Sequence, residues 1–156
     1  MEIVLEIDPA ILELHDAIEE GRVDQALELL KGLDPNKRGP QGDTALHLAC
    51  LFGHERLVGP LLQLGAEPSA RDEDDSTPLH DACAGGYIGI VRLLMAAGAD
   101  AKLSDADGDT PLHLAANGNH AEVTKLMLEA GGNPDLENND GNTPKMLARD
   151  DDVVAV

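Results

Sequence analysis

The chain repeats itself at a fixed interval of 33 residues. Threonines open four similar segments, TALH, TPLH, TPLH and TPKM, at Thr44, Thr77, Thr110 and Thr143. Histidines and glycines keep the same step, at His47, His80 and His113 and at Gly65, Gly98 and Gly131. A repeat of this length is one structural unit that buries its apolar face only by stacking on its neighbours. The period therefore predicts a stacked array of similar units.

Each repeat is predicted to contain two short helices. The first begins at a threonine, whose side chain can cap the first turn, and three repeats then place proline where no backbone N–H is needed. It ends about eight residues later at a residue type that tolerates left-handed backbone, at Gly53, Gly86 or Asn119. A second helix with apolar spacing follows, and polar turn segments such as DEDDS and DADGD connect the repeats. Asp8 and Pro9 are expected to start the first helix of the chain.

These segments closely resemble ankyrin repeats. The resemblance rests on TPLH, the glycine-bounded second helix, the GAD segment at 98–100 and the DGDT turn at 107–110, and it covers nearly the whole chain. It implies an all-α repeat solenoid of stacked helix-turn-helix ankyrin repeats with β-hairpin or turn fingers. It also implies a single domain, 1–156, with an N-terminal capping repeat (1–38), full repeats at 39–71, 72–104 and 105–137, and a C-terminal partial cap and tail (138–156).

Neither catalysis nor a cofactor is predicted. The three histidines recur once per repeat, whereas a catalytic histidine is needed only once, and the resemblance implies imidazoles tied to the backbone and the neighbouring threonine. Cys50 and Cys83 are one repeat apart and are expected to be free, buried and inert. The chain shows no nucleophile with a base and no phosphate-binding glycine loop. The sequence therefore predicts a protein that is not an enzyme.

The acidic turn DADGD, at 105–109, superficially matches a calcium-binding loop. Its glycine is fourth instead of sixth, and the twelfth position is Ala116 instead of a bidentate glutamate. A solvated turn without a metal is therefore predicted. In the preceding turn Asp75 replaces the glycine, and it is expected to adopt the left-handed conformation at some energetic cost.

The charge of the chain limits its partners. Eleven lysines and arginines face 30 aspartates and glutamates, and the formal net charge is −19. This charge repels phosphate backbones and anionic lipids, so the expected partner is a protein with a Lys/Arg-rich segment, not a nucleic acid or a membrane. Neither a leader nor a membrane span is expected, because the longest apolar run is far shorter than the roughly 20 residues that span a membrane. A monomer in the cytoplasm or nucleus is expected.

The resemblance implies a binding surface on the concave side of the array. Helical spacing places Leu46 on a stripe that packs inward and Leu48, Leu51 and Phe52 on a second stripe. The second stripe and the turns are expected to line the groove, and in the N-terminal helix this stripe is acidic, at Asp16, Glu19 and Glu20. The predicted partner-binding residues are Asp43, Leu48, Leu51, Phe52, Glu73, Asp74, Ser76, Asp81, Asp107, Asp109, Leu114, Asn117 and Asp140.

Two functions are compatible with this groove. The first is a scaffold, adaptor or chaperone-like module that binds a basic segment, in which Phe52 is either an exposed anchor or part of the core under the capping repeat. The alternative is a kinase inhibitor, because the small ankyrin-repeat inhibitors of cyclin-dependent kinases have about this repeat number. A further interpretation is that the acidity serves solubility alone.

Overall fold

The computed structural model describes residues 6–149, which form two rows of stacked helices. The helices of these residues are α1 (Pro9–Glu19), α2 (Val23–Leu30), α3 (Ala45–Leu51), α4 (Glu55–Gln63), α5 (Pro78–Gly85), α6 (Ile88–Ala96), α7 (Pro111–Asn117), α8 (Ala121–Glu129) and α9 (Pro144–Leu147). The odd-numbered helices form an inner row and the even-numbered ones an outer row, and each helix packs on the next member of its own row. The predicted helical repeat solenoid is confirmed. None of the helices within 6–149 combines the length and apolar character that crossing a bilayer requires.

The core is built from the same positions of successive repeats. These side chains are at most 2% exposed, and they are Leu46, Leu79 and Leu112 with Ala49, Ala82 and Ala115 on the inner row, and Leu57, Ile90 and Val123 on the outer row. No single helix pair encloses them, so each repeat completes the core of its neighbour. The alanines let the inner helices approach closely, which keeps the repeats in register.

The helices begin and end where the sequence predicts. The Thr77 side chain accepts a hydrogen bond from the His80 backbone N–H, and the other repeats are capped in the same way. Asp8 caps α1 by accepting a hydrogen bond from the Ala10 N–H at 2.9 Å. The predicted left-handed residues after the inner helices are confirmed, with φ of 73°, 72° and 55° at Gly53, Gly86 and Asn119.

An aromatic or imidazole ring covers each of two helix-ending glycines. Tyr87 and His120 are the N-cap residues of α6 and α8, and their rings lie over Gly53 and Gly86 of the preceding repeat. A Cβ on Gly53 would lie 2.7 Å from the Tyr87 ring, closer than carbon atoms pack. The left-handed backbone and this close approach both require glycine there.

Four hydrogen-bonded turns connect the repeats, and we call them the first to fourth fingers (39–43, 72–76, 105–109 and 138–142). Each finger is closed by a backbone hydrogen bond, such as that from the Asp105 N–H to the Asp109 carbonyl at 2.8 Å. Backbone hydrogen bonds also join neighbouring fingers. The N–H groups of Glu73, Ala106 and Asn139 donate to the backbone carbonyls of Gln41, Asp74 and Asp107, at 3.2, 2.9 and 3.0 Å respectively. The fingers contain turns and no strand within the described part of the chain. Asp75 has the predicted left-handed conformation, with φ of 57°.

Replacing Gly108 with alanine is expected to lower the free energy of unfolding by about 2 kcal/mol or more. Gly108 has a φ of 77°, and left-handed backbone costs a residue with a Cβ about 1–2 kcal/mol. The new Cβ would also lie 2.9 Å from the Asn139 backbone nitrogen, so the fourth finger must shift. Urea unfolding followed by circular dichroism measures the loss.

Gly141 provides the matched control for this substitution. It has a φ of 78°, and apart from Gly141 and its two chain neighbours no described residue has an atom within 4 Å of the position that its Cβ would take. Gly141→Ala is therefore expected to cost the backbone strain alone. Equal losses in the two variants would contradict a stabilising role for the contact between the third and fourth fingers.

Candidate functional site

The repeated histidines are buried and bind the backbone of two repeats. The His80 Nδ1 accepts a hydrogen bond from the Thr77 N–H at 3.2 Å, and its Nε2–H donates to the Asp109 carbonyl of the following finger at 2.9 Å. Nε2 carries a proton because a carbonyl can only accept, and Nδ1 carries none because it accepts from an N–H. The ring is therefore neutral. His47 and His113 make the equivalent contacts. Burial lowers the pKa of His47 and His80, and the predicted structural role of these histidines is confirmed.

The cysteines are equally inaccessible. Cys50 and Cys83 are free and buried, as the sequence predicts. Burial raises the pKa of both thiols far above the ordinary range. Since the thiolate is the reactive form, both side chains stay protonated and unreactive.

The third finger brings three carboxylates together. Oxygen atoms of Asp105, Asp107 and Asp109 lie within 4.8 Å of one another. The Asp105 Oδ1 already accepts hydrogen bonds from the N–H groups of Asp107 and Asp109, at 3.0 and 2.9 Å. The Asp109 Oδ1 accepts another from the Asn138 side chain at 2.8 Å. These hydrogen bonds show why the three carboxylates lie close together: they stabilise the turn that the sequence predicts here.

Most of the predicted partner-binding residues are at least partly accessible in the structure, and we call the surface that is predicted to contain them the inner groove. It is formed by the fingers and by the side chains that the inner helices α1, α3, α5 and α7 leave accessible. Its exposed members are Leu51, Phe52, Glu73, Asp74, Asp107, Asn117 and Asp140. Its half-buried members are Asp43, Ser76, Asp81, Asp109 and Leu114.

Leu48 is the exception, since only 5% of it is exposed. Leu48 lines a cavity together with Leu51 and Phe52, as their shared stripe predicts, but the expectation that it is as accessible to a partner as they are is wrong. Its position on α3 lies at the border between the core and the inner groove, and its side chain joins the hydrophobic core. The alternative in which Phe52 is buried beneath the capping repeat is also wrong, because 43% of Phe52 is exposed.

Asp81 is a half-buried carboxylate on α5. It stands one repeat after Leu48 and one repeat before Leu114, at a position where both neighbours carry an apolar side chain. Burial, and to a smaller extent the charges of Asp72 and Asp43, raise the pKa of Asp81 from 3.8 to about 8. Asp81 is therefore mostly protonated at neutral pH.

A cavity of about 320 Å³ lies at the N-terminal end of the inner groove, between α1, α3 and the first finger. Leu12, Leu51 and Phe52 line it, and they are 39%, 49% and 43% exposed. Its acidic lining residues are Asp16, Glu19 and Asp43. The volume is at the lower end of the range of about 300–1,000 Å³ that is typical of ligand sites. The cavity therefore has both an apolar wall and carboxylates, and its volume suits a small chemical group.

His15 also lines this cavity and departs from the pattern of the other repeats. Leu12 takes the place of the threonine three residues before it, so no side-chain hydroxyl is available there. The His15 Nδ1 lies 3.7 Å from the Asp43 Oδ2. The His15 Nε2 and the Asp43 Oδ1 are both buried, and neither has a hydrogen-bond partner among the described residues. Burial lowers the pKa of His15, an effect that the charge of Asp43 opposes.

Paired helices repeated at a fixed interval and joined by hydrogen-bonded fingers define a helical repeat solenoid. A family model described as Ankyrin repeats, with three copies, matches residues 14–105 and 89–155. The chain therefore belongs to the ankyrin-repeat family, as its motifs indicate. Ankyrin repeats are generally protein–protein interaction modules and are typically not enzymes. Comparison with curated proteins gives no match.

Proposed function

We propose that the inner groove binds a Lys/Arg-rich segment of a partner protein without catalysing a reaction, in a scaffold, adaptor or chaperone-like role. One observation carries the proposal: exposed carboxylates stand on successive fingers that are hydrogen-bonded to one another, and the exposed Leu51 and Phe52 line a cavity with Asp43 of the first finger. A basic segment has both the charges and the aliphatic stems that such a surface can bind.

The carboxylates of the fingers are held at regular intervals. Glu73 and Asp74 lie on the second finger, Asp107 on the third and Asp140 on the fourth, and all four are exposed. Backbone hydrogen bonds between the fingers fix their spacing. An exposed ion pair contributes at most about 1 kcal/mol, so affinity requires several pairs along the row. Opposite charge mainly accelerates encounter and sets specificity.

Leu51 and Phe52 supply the apolar part of the surface. Binding energy concentrates at aromatic side chains that a partner can cover from water, and Phe52 is the single phenylalanine of the sequence. Its ring also stacks on His54, with 6.4 Å between the ring centroids.

The proposal extends to the setting in which the domain works. We take residues 1–156 as one domain that acts as a monomer in the cytoplasm or nucleus. A net charge of −19 supports binding to a basic protein over binding to nucleic acids or anionic membranes. The kinase-inhibitor alternative rests on repeat number, and no residue of the described ranges favours it.

Neutralising the finger carboxylates is expected to weaken binding of a basic peptide about tenfold. The variant is Glu73→Gln, Asp74→Asn and Asp107→Asn, and the probe is a fluorescein-labelled Lys/Arg-rich peptide followed by fluorescence anisotropy. The matched control removes the same charge from the outer helices through Glu55→Gln, Glu122→Gln and Glu129→Gln, and it is expected to keep most of the affinity. Affinity is also expected to fall as salt rises from about 50 to about 300 mM, since salt screens exposed charges.

Two results would contradict the proposal. Equal losses in the finger variant and its control would show that net charge, and not the inner groove, attracts the peptide. Absence of binding, or binding that salt does not change, would remove the electrostatic basis altogether.

A further inference from the structure

We propose that the cavity at the N-terminal end of the inner groove receives one arginine side chain of the partner, with its guanidinium at Asp43 and its stem against Leu51 and Phe52. This inference rests on the proposed function and names the residue type that this end of the groove selects. The rest of the groove then contributes general attraction for positive charge.

The first support is a pair of buried polar atoms without hydrogen-bond partners. The Asp43 Oδ1 is buried without a donor, and an unsatisfied buried group costs about 1–3 kcal/mol. The neutral tautomer of His15 that directs its Nδ1–H toward the Asp43 carboxylate, 3.7 Å away, leaves Nε2 as an acceptor. Nε2 is the other buried atom without a partner. With this tautomer both atoms are acceptors, and a guanidinium supplies five N–H groups and no acceptor.

The second support is the sequence change that creates this pair. In the other repeats a threonine and the carbonyl of the next finger occupy both ring nitrogens, as His80 shows. Leu12 removes the threonine contact from His15, and the ring lies beside a carboxylate instead. His15 is 4% exposed and lines the cavity. The equivalent imidazoles are satisfied internally, so the unfilled hydrogen-bonding capacity is specific to this cavity.

The third support is the combination of charge and shape. Asp16 and Glu19 also line the cavity, and with Asp43 they repel an anionic group such as a phosphate or a C-terminal carboxylate. The exposed ring of Phe52 and the Leu51 side chain suit a planar cation with an aliphatic stem. Guanidinium stacks on aromatic rings and is weakly hydrated, whereas the lysine ammonium is compact and strongly hydrated. At about 320 Å³ the cavity holds one side chain and not a folded segment.

A pair of peptides with equal charge tests the inference. Both are fluorescein-labelled peptides of alternating lysine and glycine, and one carries arginine in place of the central lysine. The native protein is expected to bind the arginine peptide about tenfold more tightly, the range of one bidentate, stacked contact. Asp43→Asn and Phe52→Ala are each expected to bring this ratio close to one, with a much smaller effect on the lysine peptide. Asp107→Asn, on the third finger, is the control that weakens both peptides and keeps the ratio.

The imidazole of His15 gives a second, direct readout. Its NMR signals, assigned by their loss in His15→Gln, are expected to shift with the arginine peptide and to stay in place with the lysine peptide. Equal affinities for both peptides in the native protein, or a ratio that Asp43→Asn and Phe52→Ala leave unchanged, would overturn the arginine site while the proposed groove still stands. Failure of both peptides to bind would overturn the proposed function and the arginine site together.

Discussion

Replacing His80 with alanine is expected to lower the free energy of unfolding by about 3 kcal/mol. The His80 side chain is fully buried, so the substitution leaves a cavity, which destabilises in proportion to its volume. It also removes the hydrogen-bond partners of the Thr77 N–H and the Asp109 carbonyl. Each buried group left unsatisfied costs about 1–3 kcal/mol. Urea unfolding followed by circular dichroism at pH 7 measures the effect.

Met146 offers the matched control, because it occupies the histidine position of the last repeat. It is 67% exposed, and its backbone N–H donates to the Thr143 side chain, as the histidine N–H groups donate to their threonine caps. Met146→Ala is expected to cost less than about 1 kcal/mol. Similar losses in the two variants would show that the hydrogen bond between repeats contributes little.

The effect of His80→Ala is also expected to depend on pH. Burial lowers the pKa of His80 below its ordinary value of 6.5, so the folded state favours the neutral ring. Stability from such a group is fully present above pH 6.5 and is lost as the pH falls and the unfolded chain takes up the proton. The deficit of the variant is therefore expected to be largest at neutral pH and to shrink below about pH 6. A deficit that grows on acidification would contradict this assignment.

Replacing Asp81 with asparagine is expected to stabilise the protein by about 2 kcal/mol at pH 7. The pKa of Asp81 rises from 3.8 to about 8 on folding, so folding at pH 7 requires the uptake of a proton. One pKa unit corresponds to about 1.4 kcal/mol, and we take roughly half of the full shift because the carboxyl group is only half-buried. Asparagine has nearly the same shape and no charge, so this cost disappears.

The pH dependence gives Asp81→Asn a distinct signature. Below pH 3.8 the aspartate is protonated in both states, so the native protein and the variant are expected to have similar stabilities. Their difference is expected to grow between pH 3.8 and about 8 and then to level off as Asp81 ionises in the folded state. Asp74→Asn, at an exposed site on the second finger, is the control and is expected to change stability by less than about 0.5 kcal/mol. A destabilised Asp81→Asn variant at pH 7 would contradict a cost of burying this carboxylate.

Local spacing made much of this fold predictable from the sequence. The threonine cap and its histidine are three residues apart, so one helical turn brings Thr77 and His80 together whatever surrounds them. The left-handed positions at Asn119 and Asp75 follow from the same register, because their equivalents in other repeats are glycines. Features that depend on residues within one repeat were therefore predicted correctly.

Features that depend on contacts between repeats were harder to predict. Helical spacing placed Leu48 on the same stripe as Leu51, but it does not show how closely the neighbouring elements cover each position. The pairing of His15 with Asp43 requires knowing that the ring has lost its usual contacts. The unusual pKa of Asp81 did have a signal in the sequence, since the repeat register aligns Asp81 with Leu48 and Leu114. Comparing the residue types at equivalent positions of successive repeats identifies a carboxylate, such as Asp81, at a position that is otherwise apolar.

The imidazole contacts make the two ends of the stack unequal. Each repeated histidine donates to the finger that follows it in the chain, as His113 does to the Asn142 carbonyl at 3.1 Å. Deleting the fourth finger would thus leave the buried His113 Nε2–H without an acceptor. Deleting α1 and α2 would leave the acceptors of His47, His80 and His113 in place. A shortened array is therefore better trimmed from its N-terminal side. A lengthened one needs a histidine at Met146, because a thioether has no proton to donate to an added unit.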